Sequence, residues 1–536
     1  MMIKVLAKES LYIVFMIKIL LACIGMFVIL PVLAKPPTVN SNSEGLYQTH
    51  CAECHGKNRL GISGPALLPE NLRRLRKKNA IKTIAKGRVA TQMQAFESKL
   101  SEPQIKSLVD YIFTPLAKAP VWDEAEIRAS HVTYPFDKTI NKPVFKADPL
   151  NVFLVVESGD HHVTVLDGDK FEPIHRFASR FALHGGPKYN STGRYVYFTS
   201  RDGWISKYDL YQLKMVAEIR VGINARNSAI SNDDRFVIVG NYMPNTLVIL
   251  DADDLSLVKI IPVIDKTGKG SRVSAVYDAR PRNSFMVALK DSPELWEINY
   301  QNPPPAGFGN WVHDYRKDSG EAKVRLFPIR RIYLKDVMDD FFFDQEYVHV
   351  LSASRKGKGQ VVDLDLGRKV ADLKIPGMPH LSSGITWQRM VDGKKQTVLA
   401  TPNLKEHAVS IVDMKTWKLI KKIPTLGSGF FMRSHENSPY AWVDVFFGKD
   451  KDVMHVIDKQ SLEIVKTLRP TQGKTSAHVE FTRDGRYALV SIWEMDGELV
   501  VYDAKTLEIV KRIPMKKPVG KYNVFNKITR SAGTSH

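Results

Sequence analysis

The clearest structural signal in the chain is GRYALVSIWEMDGELVVYDAKTLEIVK, residues 485–511. A strand follows Gly485, a second β-prone run ends at Asp503, and a Val- and Ile-rich strand begins at Leu507. The Asp503 side chain is placed to close a tight turn by bonding to the backbone beyond it. This segment therefore predicts short antiparallel strands joined by tight turns.

The β-prone run that ends in Asp503 belongs to an internal repeat. The eight copies are Val163–Asp167, Ile205–Asp209, Leu247–Asp251, Leu295–Asn299, Val361–Asp365, Val409–Asp413, Met454–Asp458 and Leu499–Asp503. Their ends lie 42 to 48 residues apart, except for one 66-residue interval that holds a Pro- and Gly-rich insertion, Tyr300–Lys323. Four strands per ~40–45 residues is typical of a β-propeller blade. We therefore expect an all-β eight-bladed propeller over residues 141–536, closing its ring near Val152–Val156.

Composition limits what else the chain can be. Of 536 residues, 44% are hydrophobic and 25% charged, which is too polar for a multi-span membrane protein. Three cysteines exclude a disulfide framework and a cysteine-rich zinc or iron–sulfur protein. The formal net charge of +20 is spread along the chain without a nucleic-acid motif, so it favours an acidic protein partner or a polyanionic ligand over nucleic acid.

Residues 1–34 have the pattern of an export signal. Lys4 and Lys8 precede an apolar stretch that ends with Val32 and Ala34 at the positions a signal peptidase requires. We expect cleavage there, which would leave a periplasmic protein without a membrane span. An uncleaved membrane anchor and a lipoprotein attached through Cys23 are the alternatives.

A heme attachment motif follows the signal. Cys51-Ala52-Glu53-Cys54-His55 is a C-x-x-C-H sequence, in which Cys51 and Cys54 bond a porphyrin and His55 binds its iron. The alternatives are a structural dithiol and a zinc half-site. The segment around Met93 resembles the distal loop of small c-type cytochromes, so Met93 is the expected second iron ligand, with a buried core methionine as the alternative. Helical patterns at Leu46–His55 and Glu102–Phe113 predict a small all-α cytochrome c domain over residues 35–119, followed by a linker at 120–140.

A propeller alone does not define a function. A quinoprotein dehydrogenase would carry a periodic Trp motif, which the eight tryptophans of this chain do not form. A pure interaction scaffold would not need heme c. The fused cytochrome domain favours electron transfer.

A heme c domain joined to an eight-bladed propeller resembles cytochrome cd1 nitrite reductase and its relatives, which bind heme d1 at the propeller centre. The matching segments are Phe181–His184, Ser191–Tyr195, Gly222–Arg226, Asn241–Pro244 and Gly520–Asn526. The resemblance implies that His184 is the proximal ligand of heme d1 iron. It also implies that Tyr242 contacts heme d1 and that Arg226 and Arg272 pair with its carboxylates. Ordinary salt bridges are the alternative for the two arginines.

The distal side of the site departs from the nitrite reductases. Their second distal histidine matches His380, but no histidine occurs near Val337–Phe342, where the first belongs. The chain is more similar to the relatives that oxidise dihydro-heme d1 in the last step of heme d1 synthesis. The segments that carry this similarity are Asp339–Asp344, Arg433–Tyr440 and Thr475–Phe481.

This closer resemblance implies a dehydrogenase that converts a propionate side chain of dihydro-heme d1 into an acrylate. Electrons would pass to heme c and then to a periplasmic acceptor, and cytochrome cd1 nitrite reductase is a candidate recipient of the product. His380 is the expected base, His478 a candidate distal iron ligand, and His435 either supports the site from behind or is structural. For each histidine a structural role is the alternative. A nitrite reductase and a heme d1 carrier are the alternative functions.

Overall fold

The computed structural model describes residues 41–62, 64–72, 75–88, 93–118, 120–183, 185–305, 308, 326–354 and 359–529. The predicted signal at 1–34, most of the insertion at Tyr300–Lys323 and His184 lie outside the described residues. Among the residues that are described, no helix is both long and apolar enough to cross a membrane.

The N-terminal domain is helical, as predicted. Its helices are α1 (Ser41–His50), α2 (Ala52–His55), α3 (Pro69–Leu72), α4 (Lys77–Lys86) and α5 (Glu102–Ile112). Helix α5 begins with a capping box between Ser101 and Gln104. Its apolar face, which includes Leu108 and Val109, is buried in one core with Tyr47 and Phe96.

Residues 152–523 form a ring of eight antiparallel sheets, which confirms the predicted propeller. The four strands of blades 2 to 4, in sheet order from the centre, are Lys188–Tyr189, Tyr195–Thr199, Trp204–Asp209, Lys214–Arg220; Asn224–Ile230, Phe236–Met243, Thr246–Asp251, Leu257–Pro262; and Val273–Ala279, Ser284–Leu289, Glu294–Asn299, Ile329–Tyr333. Those of blades 5 and 6 are Asp340–Phe343, His349–Ala353, Gly359–Asp363, Arg368–Leu373; and Ile385–Val391, Lys394–Pro402, Ala408–Asp413, Leu419–Pro424. Those of blades 7 and 8 are Met432–Ser434, Tyr440–Asp444, Met454–Asp458, Ile464–Leu468; and Ser476–Phe481, Tyr487–Ile492, Gly497–Asp503, Ile509–Met515. First strands of neighbouring blades contact one another around the central axis.

The C-terminal strand closes the ring. Blade 1 consists of Val152–Glu157, His162–Asp167 and Pro173–Ala178, and its central position is taken by Pro518–Asn523. The pairing runs antiparallel from Phe153 opposite Asn523 to Glu157 opposite Pro518. This is the closure predicted beside Val152–Val156. The last helix, Val524–Thr529, follows directly.

The repeated aspartate ends the third strand of a blade and closes the turn after it. Asp503 Oδ1, for example, accepts hydrogen bonds from the Lys505 and Thr506 amides at 3.0 and 2.9 Å. In blade 5 the predicted register is wrong, because Asp363 and not Asp365 has this role. Two aspartates two residues apart share one strand face, so the sequence pattern does not distinguish them.

The predicted linker at 120–140 is packed against the propeller. It contains the helix Glu124–Ala129, capped by Asp123, and the strand Val132–Thr133. That strand pairs with Lys214–Arg220 and gives blade 2 a fifth, outer strand. The short strand in this Pro-containing segment thus takes its order from the sheet edge beside it.

Candidate functional site

The C-x-x-C-H motif lines a large cavity between the helical domain and the propeller. The cavity has a volume of about 1340 Å³, and Cys51, Cys54, His55 and Met93 all face it. The two thiols are half-buried and unpaired. Burial, followed by the neighbouring Cys54, raises the pKa of the Cys51 thiol to about 11.

His55 is prepared to bind a metal through Nε2. Its Nδ1 donates a hydrogen bond to the Pro65 carbonyl at 2.8 Å, which fixes the tautomer and leaves the Nε2 lone pair available. Burial lowers the pKa of His55, so the imidazole stays neutral as a ligand must. A Cβ at Gly64 would lie 2.8 Å from the His55 ring, so glycine is required for the ring to keep this position.

Met93 faces the same cavity from a segment that is held by backbone contacts. Its carbonyl accepts the Arg88 amide at 3.0 Å, and a Cβ at Gly87 would lie 2.6 Å from that carbonyl. Two thiols, a neutral imidazole and a thioether on one cavity fit heme c. That Met93 ligates the iron stays a prediction.

A second cavity, of about 730 Å³, occupies the centre of the propeller. Four of the predicted residues line it, namely Arg226, Tyr242, His380 and His478. Leu183, Tyr242 and Lys290 line both cavities, so the two adjoin. Leu183 and Gly185 line the central cavity on either side of the undescribed His184 in the sequence.

His380 lies in the connection between blades 5 and 6. Its Nδ1 donates to the Phe430 carbonyl at 2.6 Å, and its Nε2 lies 3.3 Å from Ser382 Oγ. Burial lowers the pKa of His380, although Asp340 and the bond to Phe430 act in the opposite direction. The imidazole is therefore neutral near pH 7, with Nε2 able to accept a proton or bind a metal.

His478 is aimed into the central cavity by a β-bulge. The bulge lies between Ala477 and Val479 in the innermost strand of blade 8, and His478 adopts a φ of 55°. Bulges and left-handed backbone at a non-glycine residue are enriched at functional sites, where they direct a side chain. Its Nδ1 is buried and has no hydrogen-bond partner among the described residues. Burial, then Lys521, lowers the pKa of His478, so the imidazole is neutral, as a metal ligand must be.

One buried carboxylate connects the two histidines. Asp444 accepts hydrogen bonds from the Phe430 amide at 2.6 Å and from the His478 amide at 3.4 Å. Phe430 in turn holds His380 through its carbonyl. Burial raises the pKa of Asp444 to about 7. Sequence reasoning missed Asp444, because an aspartate inside an ordinary strand gives no signal.

An aromatic wall stands between the histidines. The Phe431 ring lies 6.4 Å from the His380 ring and 5.0 Å from the His478 ring. Phe430 and Trp493 also line the cavity, and Phe446 packs behind both, at 5.3 and 5.0 Å. An apolar aromatic surface flanked by a few polar groups suits a large conjugated ligand. Sequence reasoning missed these residues too, although the Phe430-Phe431 and Phe446-Phe447 doublets were a visible signal.

Cations concentrate where the cavities meet. Arg226 is held by a hydrogen bond from its Nε to the Ser274 carbonyl at 2.9 Å. Burial would raise the pKa of Tyr242, but Arg226, Lys290 and Arg201 together lower it. This local positive field suits a ligand with several carboxylates.

Two predicted residues lie away from the central cavity. Arg272 lines the cavity of the C-x-x-C-H motif and binds Asp291 with an Nε–Oδ2 distance of 2.8 Å. His435 is fully buried, lines neither cavity, and accepts the Asn437 amide on Nδ1 at 3.1 Å. The structure thus encloses His435 in the blade interior, with Nε2 buried and without a hydrogen-bond partner among the described residues.

The loop that leads to the aromatic wall depends on a neutral histidine. His455 Nε2 accepts the Leu426 amide at 3.2 Å, and burial lowers the pKa of His455 from 6.5 to about 4. Between these pH values the unfolded chain binds a proton that the folded chain does not. We therefore expect the free energy of unfolding to fall by up to about 3 kcal/mol as the pH drops from 6.5 to 4. Denaturant unfolding at several pH values measures this fall, and a His455→Gln variant should show a shallower one. An equal fall in the free energy of unfolding of both proteins would show that a group other than His455 causes it.

Comparisons with known proteins agree with the helical domain and the propeller described above. Residues 147–527 match the family described as cytochrome D1 heme domain, and residues 40–112 match cytochrome c oxidase, cbb3-type, subunit III. A dihydro-heme d1 dehydrogenase of Pseudomonas aeruginosa is 54% identical over 495 residues, which are 92% of this chain and 95% of that protein. A nitrite reductase of Stutzerimonas stutzeri is 24% identical, over 90% of this chain and 92% of its own length. The solved structure of dihydro-heme d1 dehydrogenase NirN in complex with DHE is 53% identical, covers 91% of this chain and 100% of its own, and superimposes with a TM-score of 0.84.

Proposed function

Because this chain belongs to the cytochrome D1 heme domain family, we propose that it is a dehydrogenase that oxidises dihydro-heme d1 and converts a propionate side chain into an acrylate. The observation that carries the proposal is the 54% identity to a dihydro-heme d1 dehydrogenase along both domains. The central cavity supports it with neutral histidines, an aromatic wall and cations.

The reaction breaks two C–H bonds and forms one C=C bond, so it releases two protons and two electrons. His380 Nε2 is the site that takes one proton, because its ring is neutral and held in place through Nδ1. Arg226 and Tyr242 hold carboxylates of the substrate, and the neutral His478 ring is the ligand for the substrate's iron. Heme c, when bound, accepts the electrons one at a time.

Location and partners follow from the same proposal. The signal pattern of residues 1–34 favours the periplasm. A soluble periplasmic electron acceptor would reoxidise heme c, and a cytochrome cd1 nitrite reductase would receive heme d1. Both partners are consistent with the basic surface, since an acidic protein would be attracted to it.

Spectroscopy of the loaded protein distinguishes the candidate functions. With dihydro-heme d1 and an electron acceptor, the tetrapyrrole absorbance should shift as the acrylate joins the conjugated ring. An unchanged spectrum with turnover of nitrite would assign nitrite reduction instead. A bound ligand with neither change would assign a carrier.

A further inference from the structure

Arg220 joins the two domains through a single guanidinium group. It ends the fourth strand of blade 2 and is only 4% exposed. Nη2 and Nη1 donate to the carbonyls of Leu60 and Gly61 in the helical domain, at 2.5 and 3.3 Å. Nε donates to the Asp202 carbonyl of the propeller at 2.8 Å. The fork of an arginine is the side chain able to bind three carbonyls in fixed directions.

The loop that Arg220 binds is tied to the heme attachment motif. The Gly61 amide donates to the His55 carbonyl at 2.8 Å, and the Ile62 amide donates to the Cys54 carbonyl at 3.1 Å. One further hydrogen bond therefore connects the guanidinium to the iron-binding histidine. Because these backbone bonds keep the loop and the C-x-x-C-H segment together, loss of the Arg220 contact would move them as one unit relative to the propeller.

The chain that follows Arg220 leads directly to the central cavity. The Ile223 carbonyl accepts the Asn71 side chain of the helical domain at 3.1 Å. Ile223 also packs in a small apolar cluster with Ala66 and Leu68 of that domain. Arg226, three residues on, lines the central cavity. Residues 220–226 thus touch the heme c domain at one end and the substrate cavity at the other.

Trp122 covers this contact from the segment between the domains. Its Nε1 donates to the Arg220 carbonyl at 3.0 Å, and its ring stacks 4.5 Å from the guanidinium carbon. The ring shields the hydrogen bonds to Leu60 and Gly61 from water, which strengthens them.

We propose that Arg220 is a positioning residue that fixes the cytochrome c domain over the propeller, so that heme c is held at the distance needed to take electrons from the substrate. The inference rests on the proposed dehydrogenase function. A displacement of about 1 Å in a reacting arrangement can cost on the order of 10²-fold in rate. Loss of the guanidinium should therefore slow electron transfer without altering either binding site.

The test uses the full-length protein with heme c attached, in the wild-type form and as Arg220→Gln, mixed anaerobically with dihydro-heme d1. We expect heme c reduction to be about tenfold slower or more in the variant, with unchanged tetrapyrrole binding and an unchanged heme c spectrum. Trypsin cleavage after Lys118, between the domains, should be faster. Arg220→Lys, which keeps the charge, should give intermediate values. This variant keeps the inference testable if the glutamine variant folds poorly.

Arg194→Gln is the matched control. Arg194 is a mostly buried arginine of blade 2 that pairs with Asp209 and lines neither cavity. Its variant should show wild-type reduction and cleavage rates. Wild-type rates of both processes in the Arg220 variants would overturn the inference. If the wild-type protein itself fails to reduce heme c, the proposed function is wrong, whereas cleavage after Lys118 still reports on the domain contact.

Discussion

Replacing His380 with alanine is expected to lower the dehydrogenation rate by about 10²–10⁴-fold, the usual contribution of a general base. The reason is geometric, because Nδ1 is occupied by the Phe430 carbonyl at 2.6 Å and Nε2 is directed to the cavity. Single-turnover reduction of heme c measures the rate, and tetrapyrrole absorbance measures binding separately.

His435→Gln is the control for this variant. His435 is fully buried but lines neither cavity, so its replacement should lower thermal stability and leave the rate of the folded protein unchanged. A His380→Ala protein with full activity would reject His380 as the base. An inactive but folded His435→Gln protein would show that the two cavities do not contain the whole site.

Replacing both Cys51 and Cys54 with serine should abolish covalent heme and reduce dehydrogenation to background. Serine hydroxyls do not form the thioether bonds that the thiols make, so no electron acceptor remains beside the central cavity. Heme staining after denaturing electrophoresis measures attachment, and the tetrapyrrole spectrum measures turnover.

The propeller of this double variant should still bind dihydro-heme d1, because Arg226, Tyr242, His380 and His478 lie on the propeller. Binding without turnover is therefore the expected combination. Turnover at the wild-type rate would show that electrons leave the substrate by a route that avoids heme c.

The repeat and the C-x-x-C-H motif allowed most of the architecture to be predicted. Both are local signals. A turn-closing aspartate bonds to backbone amides no more than three residues ahead, and the two thiols of the motif lie within four residues. The error at Asp365 arose where two aspartates fitted the same pattern. The strand Val132–Thr133 was not predictable, because its order comes from a strand edge that is remote in sequence. The helix Glu124–Ala129 has a local capping signal in Asp123 and Glu126, which sequence reasoning missed.

The candidate site was predicted less completely for a similar reason. His380 and His478 were found by resemblance, and the structure places both on the central cavity. The link between them through Asp444 and Phe430 depends on packing between blades and has no counterpart in the sequence pattern. Arg272 pairs with Asp291 and lines the adjoining cavity, and the blade interior encloses His435, so their roles at the site stay predictions.

Mass spectrometry of the tetrapyrrole after anaerobic turnover tests the dehydrogenase function most directly. The heme c of the full-length protein serves as the electron acceptor, and its reduction is followed by absorbance in the same sample. With the protein in at least twofold excess over the tetrapyrrole, we predict a product lighter by two hydrogen atoms and, for each product molecule, two reduced hemes c on two protein molecules, because each chain has one heme attachment motif. A tetrapyrrole of unchanged mass beside oxidised heme c would contradict the proposed function.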